Sequence, residues 1–200
     1  MAAPIDFYFD FSSPYGYIGS ELVDALAART GRGVTWRPVL LGPIFKHVGT
    51  GVLVDIPLKG DYSKRDFARM ARYHKIAFTL PVKFPVGTQA ATRAFYVLAD
   101  SDPALAQRFA KSVFRAYYTE GIDISDPATV VGLAAQAGAN GEQVAAAIAD
   151  PAVKERVKSE VDAAIAKGVF GSPLFIVDGE MFWGVDRMPQ LEEWIRTGGW

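Results

Sequence analysis

The chain has 200 residues, half of them hydrophobic and 22% charged, with a net charge of −1; these proportions describe one soluble domain, or one domain carrying an insert, and exclude disorder. It contains no cysteine, which removes disulfide frameworks, thiolate zinc sites, iron–sulfur clusters, cysteine nucleophiles and CxxC redox pairs together. His47 and His74 are the only imidazoles and form no ligand pair for a metal, and scattered basic residues on a near-neutral chain give no field for nucleic acid or an anionic membrane.

Ile5, Phe7, Phe9 and Phe11 alternate with Asp6, Tyr8 and Asp10, which predicts a strand with one apolar face. The same segment lacks the basic start and continuous apolar run of a signal peptide. No apolar run reaches the roughly 18 residues of a membrane span, so a cytoplasmic protein without membrane association is expected. Ser12-Ser13-Pro14 breaks the strand, and apolar residues at helical spacing run from Tyr15 to Ala27, ahead of Gly31. Ser13 stands where an N-cap belongs and Pro14 at the first helical position, where its missing N–H costs nothing. Val34 to Val39 predicts a second strand, completing a βαβ opening.

From Gly42 to Gly60 the chain is rich in Gly and Pro without a sustained period, which predicts a long loop or short irregular piece of the kind that carries function. Ser63 is expected to cap a helix running to about His74. After an interruption at LPVKFPVG, helices are predicted at Thr88–Ala99, Pro103–Glu120, Pro127–Ala137, Glu142–Ala149 and Pro151–Lys167. Asp102-Pro103, Asp126-Pro127 and Asp150-Pro151 share one device, an aspartate cap followed by proline. Their unequal spacing argues for convergent capping rather than a solenoid. Leu174–Val177 and Glu180–Trp183 flank Asp178-Gly179, a strong hairpin signal, and a last helix is expected from about Met188 to Arg196.

The order βαβ, helical block, ββα, with a proline just before the third strand, is the thioredoxin-like pattern: an α/β fold (βαβ…ββα) with a large all-helical insertion. Residues 1–60 and 166–200 are assigned to the thioredoxin-like domain and 61–165 to the helical insertion. In that fold the functional turn lies at the start of the first helix, facing a cis-proline loop. Here the two are Ser12-Ser13-Pro14-Tyr15 and Gly171-Ser172-Pro173. A helix N-terminus offers free N–H groups and the positive end of a dipole, which favour an anion or thiolate. With no sulfur of its own, such a site is suited to one that arrives on a ligand.

Three segments, DFYFDFSSPYGYIG, KGDYSKRDFARMARYH and GVFGSPLFIVDGEMFWGVDRM, closely resemble the 2-hydroxychromene-2-carboxylate isomerases, relatives of kappa-class glutathione transferases and of the DsbA-like branch of the thioredoxin fold. The resemblance spans essentially the whole chain in order. It implies a glutathione-dependent isomerase, commonly a homodimer, that interconverts 2-hydroxychromene-2-carboxylate, a small aromatic carboxylate, and trans-o-hydroxybenzylidenepyruvate in aromatic catabolism. The cofactor sulfur would add to a conjugated carbon, permit rotation, and leave.

By the same resemblance the catalytic serine is Ser13, donating a hydrogen bond to the glutathione thiolate; read locally, Ser13 is an N-cap. Ser172, before the cis-proline Pro173, would pair through its backbone with the cysteinyl part of glutathione. Val185, Asp186 and Arg187, in G-V-D-R, would receive the glutamyl end, although Asp186 also reads as a cap of the last helix. Lys59 matches a glutathione-contacting lysine and Lys46 a lysine near the substrate carboxylate; each also reads as a solvated loop lysine. Trp183, Phe45, Phe84 and Tyr96 are candidate walls of an aromatic pocket, Trp183 first because it adjoins G-V-D-R, while large aromatics are more often core. Thr50 and Gly87 stand where the relatives commonly carry Asn, which touches the choice of substrate more than the fold. The alternatives are a kappa-like transferase conjugating electrophiles and a noncatalytic glutathione- or peptide-binding module.

Overall fold

The structure, a computed structural model, describes residues 2–200. Four strands, β1 (Ile5–Phe9), β2 (Val34–Pro38), β3 (Leu174–Val177) and β4 (Glu180–Trp183), form one sheet in the order β2-β1-β3-β4. β2 runs parallel to β1, as a βαβ crossover requires, whereas β3 is antiparallel to β1 and to β4. Between β1 and β2 lies α1 (Pro14–Thr30). The long connection from β2 to β3 is helical: α2 (Leu41–Val48), α3 (Lys59–Tyr73), α4 (Gln89–Ser101), α5 (Pro103–Glu120), α6 (Pro127–Gln136), α7 (Gly141–Ala149) and α8 (Pro151–Ala166). After β4 comes α9 (Met188–Thr197). This is a thioredoxin-like α/β fold with a large helical insertion.

Local chemistry accounts for most of the boundaries. The side chains of Ser13, Asp102, Asp126 and Asp150 each accept backbone N–H bonds at a helix start, with proline next in line. At the hairpin, Asp178 and Gly179 both take positive φ, 51° and 86°, the backbone of a tight turn whose twist matches its strands.

The strand pattern needs one correction. Ile5, Phe7 and Phe9 are fully buried, but Tyr8 and Asp10 are buried too. β1 is a central strand with both faces covered: Phe7 stacks on Phe175 at 5.3 Å and meets Trp36 edge-on at 5.1 Å. On the other face Tyr8 joins Val39, Ile44, Val161 and Leu174 in a second, smaller cluster. β1 also stops at Phe9, so Phe11 lies past it in the turn, packed among Phe9, Phe109 and Phe114.

Two helix starts differ from the sequence reading. The stretch expected to be a loop contains α2 and a short 3-10 turn at Leu53–Asp55. And α3 begins at Lys59, not at Ser63, whose hydroxyl instead donates to the Lys59 carbonyl inside the helix at 2.6 Å. The start is set by Leu58, whose φ of 67° and ψ of −48° form a γ-turn closed by Lys59 N–H to Pro57 O at 2.8 Å, a strained conformation for a side-chain-bearing residue. Gly60 then passes so close to Val54 O that a Cβ there would lie 2.2 Å from it. None of the described helices is long and apolar enough to cross a membrane.

Candidate functional site

At the C-terminal end of β1 the first turn of α1 faces the loop before β3. The Ser172-Pro173 peptide bond is cis. Ser13 Oγ accepts the Gly16 N–H at 3.0 Å and donates to the Ser172 carbonyl at 3.0 Å. Its one proton is therefore on a loop carbonyl, while its lone pair caps the helix. Ser13 and Ser172 are both buried. Close approach is built into the glycines of α1: a Cβ at Gly16 would lie 2.7 Å from Ser172 Oγ and 3.1 Å from Ser13 Cβ, and one at Gly19 would lie 3.2 Å from Pro173 Cβ.

The first helical N–H groups have no intrahelical carbonyl. Pro14 has none to offer and Gly16 donates to Ser13, while Tyr17 N–H already reaches Ser13 O at 2.9 Å. Tyr15 N–H is left as the donor beside Ser13. The Tyr15 side chain docks α3, its ring edge-on to Phe67 at 5.0 Å and its hydroxyl on Asp66. Burial, and then the hydrogen bond to Asp66, pushes this phenol up, so it stays a donor.

Behind the turn sits a buried carboxylate, Asp10, which the strand alternation places on the polar face and does not mark as a site residue. Asp10 Oδ1 accepts Ser12 N–H at 2.8 Å and the Thr88 hydroxyl at 3.0 Å, and Oδ2 accepts Leu41 N–H at 2.8 Å. Its own N–H donates to Ser172 Oγ at 3.0 Å, and its carbonyl accepts Ser13 N–H at 2.9 Å. Desolvation pushes the Asp10 carboxyl up and these donors oppose it. Ser12 reaches sideways: its hydroxyl oxygen accepts Val86 N–H at 3.0 Å, pinning the segment that follows Phe84.

Ser13, Ser172 and Pro173 thus meet in one cluster. The G-V-D-R segment attaches to it through Gly184 N–H to Pro173 O at 3.0 Å. Val185 is buried, while Asp186 and Arg187 are exposed and paired with each other at 3.2 Å. Asp186 does not cap the last helix, whose N-cap position is Arg187. Trp183 is 56% exposed, packs edge-on to Phe170 at 5.1 Å and covers Gly171 so closely that a Cβ there would lie 2.4 Å from its indole nitrogen. It lines a cleft of about 350 Å³ with Arg187, Trp194 and Trp200. Ser13 and Ser172 are not among that cleft's walls.

Lys46 lies in the last turn of α2 and Lys59 at the first position of α3, both exposed. Neither touches the serine cluster; their helices reach it through Leu41 on Asp10 and Asp66 on Tyr15. Phe84, half-buried beside Phe67 at 6.2 Å, and half-buried Phe45 remain available as walls. Tyr96 does not: it is a core residue whose hydroxyl donates to Pro38 O at 2.8 Å.

A hydroxyl and a free N–H converge at the positive end of a 17-residue helix, a donor set for an anion, in a chain with no cysteine.

The family described as the DSBA-like thioredoxin domain matches residues 4–196. A 2-hydroxychromene-2-carboxylate isomerase of Sphingobium xenophagum is 27% identical over 205 residues, covering 98% of this chain and 99% of its own. Human glutathione S-transferase kappa 1 is 27% identical over 212 residues, covering 96% and 92%. The solved structure of a 2-hydroxychromene-2-carboxylate isomerase superposes with a TM-score of 0.85 at 28% identity, over 94% of this chain and 92% of that one.

Proposed function

The chain belongs to the DSBA-like thioredoxin domain family, and from that premise we propose that it is a glutathione-dependent isomerase interconverting 2-hydroxychromene-2-carboxylate and trans-o-hydroxybenzylidenepyruvate. The observation that carries this reading is the Ser13 hydroxyl, set at the start of α1 and bonded across to the loop before Pro173, in a chain whose relatives include isomerases of that name over nearly its full length.

Glutathione, when bound, supplies the thiolate nucleophile that the chain lacks. A free thiol titrates near about 8.5, and lowering that by about two units takes roughly 2.7 kcal/mol of preference for the charged form. In the proposed role Ser13 Oγ and Tyr15 N–H provide that preference together with the helix dipole. The Ser13 proton has to turn from the Ser172 carbonyl toward the sulfur. That carbonyl belongs to the backbone assigned to the cysteinyl part, and a cysteinyl N–H donating to it would satisfy it in place of Ser13, leaving the Ser13 proton free to turn. Lys59 and the Val185–Arg187 segment hold the ends of the tripeptide, Lys46 takes the substrate carboxylate, and Trp183 walls its ring.

A second reading has its own support. Kappa-class transferases match at similar identity and coverage, and they need the same thiolate, differing in whether the adduct is released. Incubating the protein with the chromene carboxylate and following its ultraviolet spectrum with and without glutathione separates the two. Glutathione-dependent equilibration is expected. Its absence, with conjugation of chlorodinitrobenzene, would transfer the assignment to the transferase; glutathione binding with neither reaction would make the protein a binding module.

A further inference from the structure

Asp10 is buried, and among the described residues no cation pairs with its carboxylate, whose partners are Ser12 N–H, Leu41 N–H and the Thr88 hydroxyl. An ionised carboxylate in such a place is costly unless hydrogen bonds hold it, and an apolar residue would fill the end of β1 at less cost. Its bonds show what the carboxylate adds. Through its side chain and its peptide group it holds the Ser12-Ser13 turn, the N-terminus of α2 at Leu41, Thr88 at the N-terminus of α4, and Ser172.

Two of these helices surrender a local cap to it. The N-cap position of α2 is Leu40, which has no side-chain acceptor, and Asp10 serves the Leu41 N–H instead. Thr88 occupies the N-cap position of α4 and is of a type that ordinarily caps its own helix. It makes no such bond and gives its hydroxyl to Asp10. That arrangement forgoes local helix stability and gains a fixed junction.

We propose that Asp10 is a positioning residue: it sets the Ser13 turn, the Ser172 loop and the start of α2 at fixed distances, so that the thiolate-binding and substrate-binding halves of the site form one unit. This rests on the glutathione reading above. The carboxylate does not itself favour a thiolate, because a negative charge behind the turn opposes one in front. Its charge and its positioning role therefore predict opposite signs when it is replaced.

In Asp10→Asn the side chain keeps its size and one acceptor oxygen, but turns donors toward groups that already donate. The pKa of glutathione thiol bound to the variant, read by ultraviolet thiolate absorbance, is expected to rise by about one unit. Amide hydrogen exchange is expected to speed up together, by about tenfold, in residues 11–13, 40–42 and 171–172, with α8 unchanged. Thr88→Val removes one of the three side-chain bonds and is expected to act in the same direction, less strongly; it decides by the same criteria if Asp10→Asn does not fold. An unchanged or lowered thiol pKa would overturn the proposal, as would faster exchange confined to residues 11–13. If the unsubstituted protein yields no thiolate band, the glutathione reading fails, and the exchange comparison alone decides the positioning role.

Discussion

Replacing Ser13 by alanine separates its two tasks. The substitution removes the cap on Gly16 N–H and the bridge to the Ser172 carbonyl. Loss of a serine cap costs about 1 kcal/mol and loss of an ordinary hydrogen bond about as much again, so about 2 kcal/mol of stability should go. For a chain of this size that lowers Tm by about 4–8 °C. The effect on a bound thiolate is separate. A hydrogen bond to a charged group contributes about 1.5–3 kcal/mol, which at about 1.4 kcal/mol per unit raises the thiol pKa by about one to two units. Thermal unfolding of the ligand-free protein reads the first quantity, and a spectroscopic pH titration of bound glutathione reads the second. Both should change. A Tm lowered as expected with an unmoved thiol pKa would show that Ser13 is an N-cap and nothing more, and would refute its assignment to the sulfur.

Gly16→Ala places a Cβ 2.7 Å from Ser172 Oγ; the chain should still fold, as circular dichroism will show, but glutathione affinity measured by calorimetry should fall at least about tenfold, since the loop must shift away from the turn. Ser13→Cys puts a thiol at the start of α1, where its pKa should fall below the usual about 8.5; mass spectrometry after exposure to oxidised glutathione should find one mixed disulfide, and none on the unsubstituted chain. Asp123 is held down to about 2 by Lys83 and then by Ser125. A depressed carboxylate stabilises the fold above its unfolded pKa and loses that contribution as pH falls through about 4 toward about 2. Asp123→Asn should therefore flatten the acid limb of the stability curve in that window while costing less than about 1 kcal/mol at neutral pH, because the pair is exposed; an unchanged acid limb would rule this out.

Features whose causes are local were legible in the sequence. The caps at Ser13, Asp102, Asp126 and Asp150 serve N–H groups within three residues, and the Asp178-Gly179 turn needs only its own backbone. α2 was not legible, because its start is held by Asp10, a residue 31 positions away, and Pro43 lies in its first turn, where the helix tolerates it without showing a capping motif. The start of α3 is hidden in the sequence for a related reason. Ser63 resembles a cap, yet the helix is begun by the Leu58 turn and the close approach of Gly60 to Val54, neither of which has a periodic signature. In the site, Ser13 and Ser172 stood out through their prolines. Asp10 did not, since its side-chain donors lie 2, 31 and 78 residues away. The alternation that made it look like an outward-facing polar residue assumes a strand with one wet face, and β1 has none.

The proposed activity requires a sulfur brought to Ser13 by a bound tripeptide, and a crystal structure of the protein with glutathione tests this most directly. The sulfur is expected within hydrogen-bonding distance of Ser13 Oγ, with the cysteinyl backbone paired to Ser172 and the Ser13–Ser172 bond released. Glutathione bound elsewhere, for instance in the cleft between Trp183 and Trp200, or bound with its sulfur turned away from α1, would contradict it.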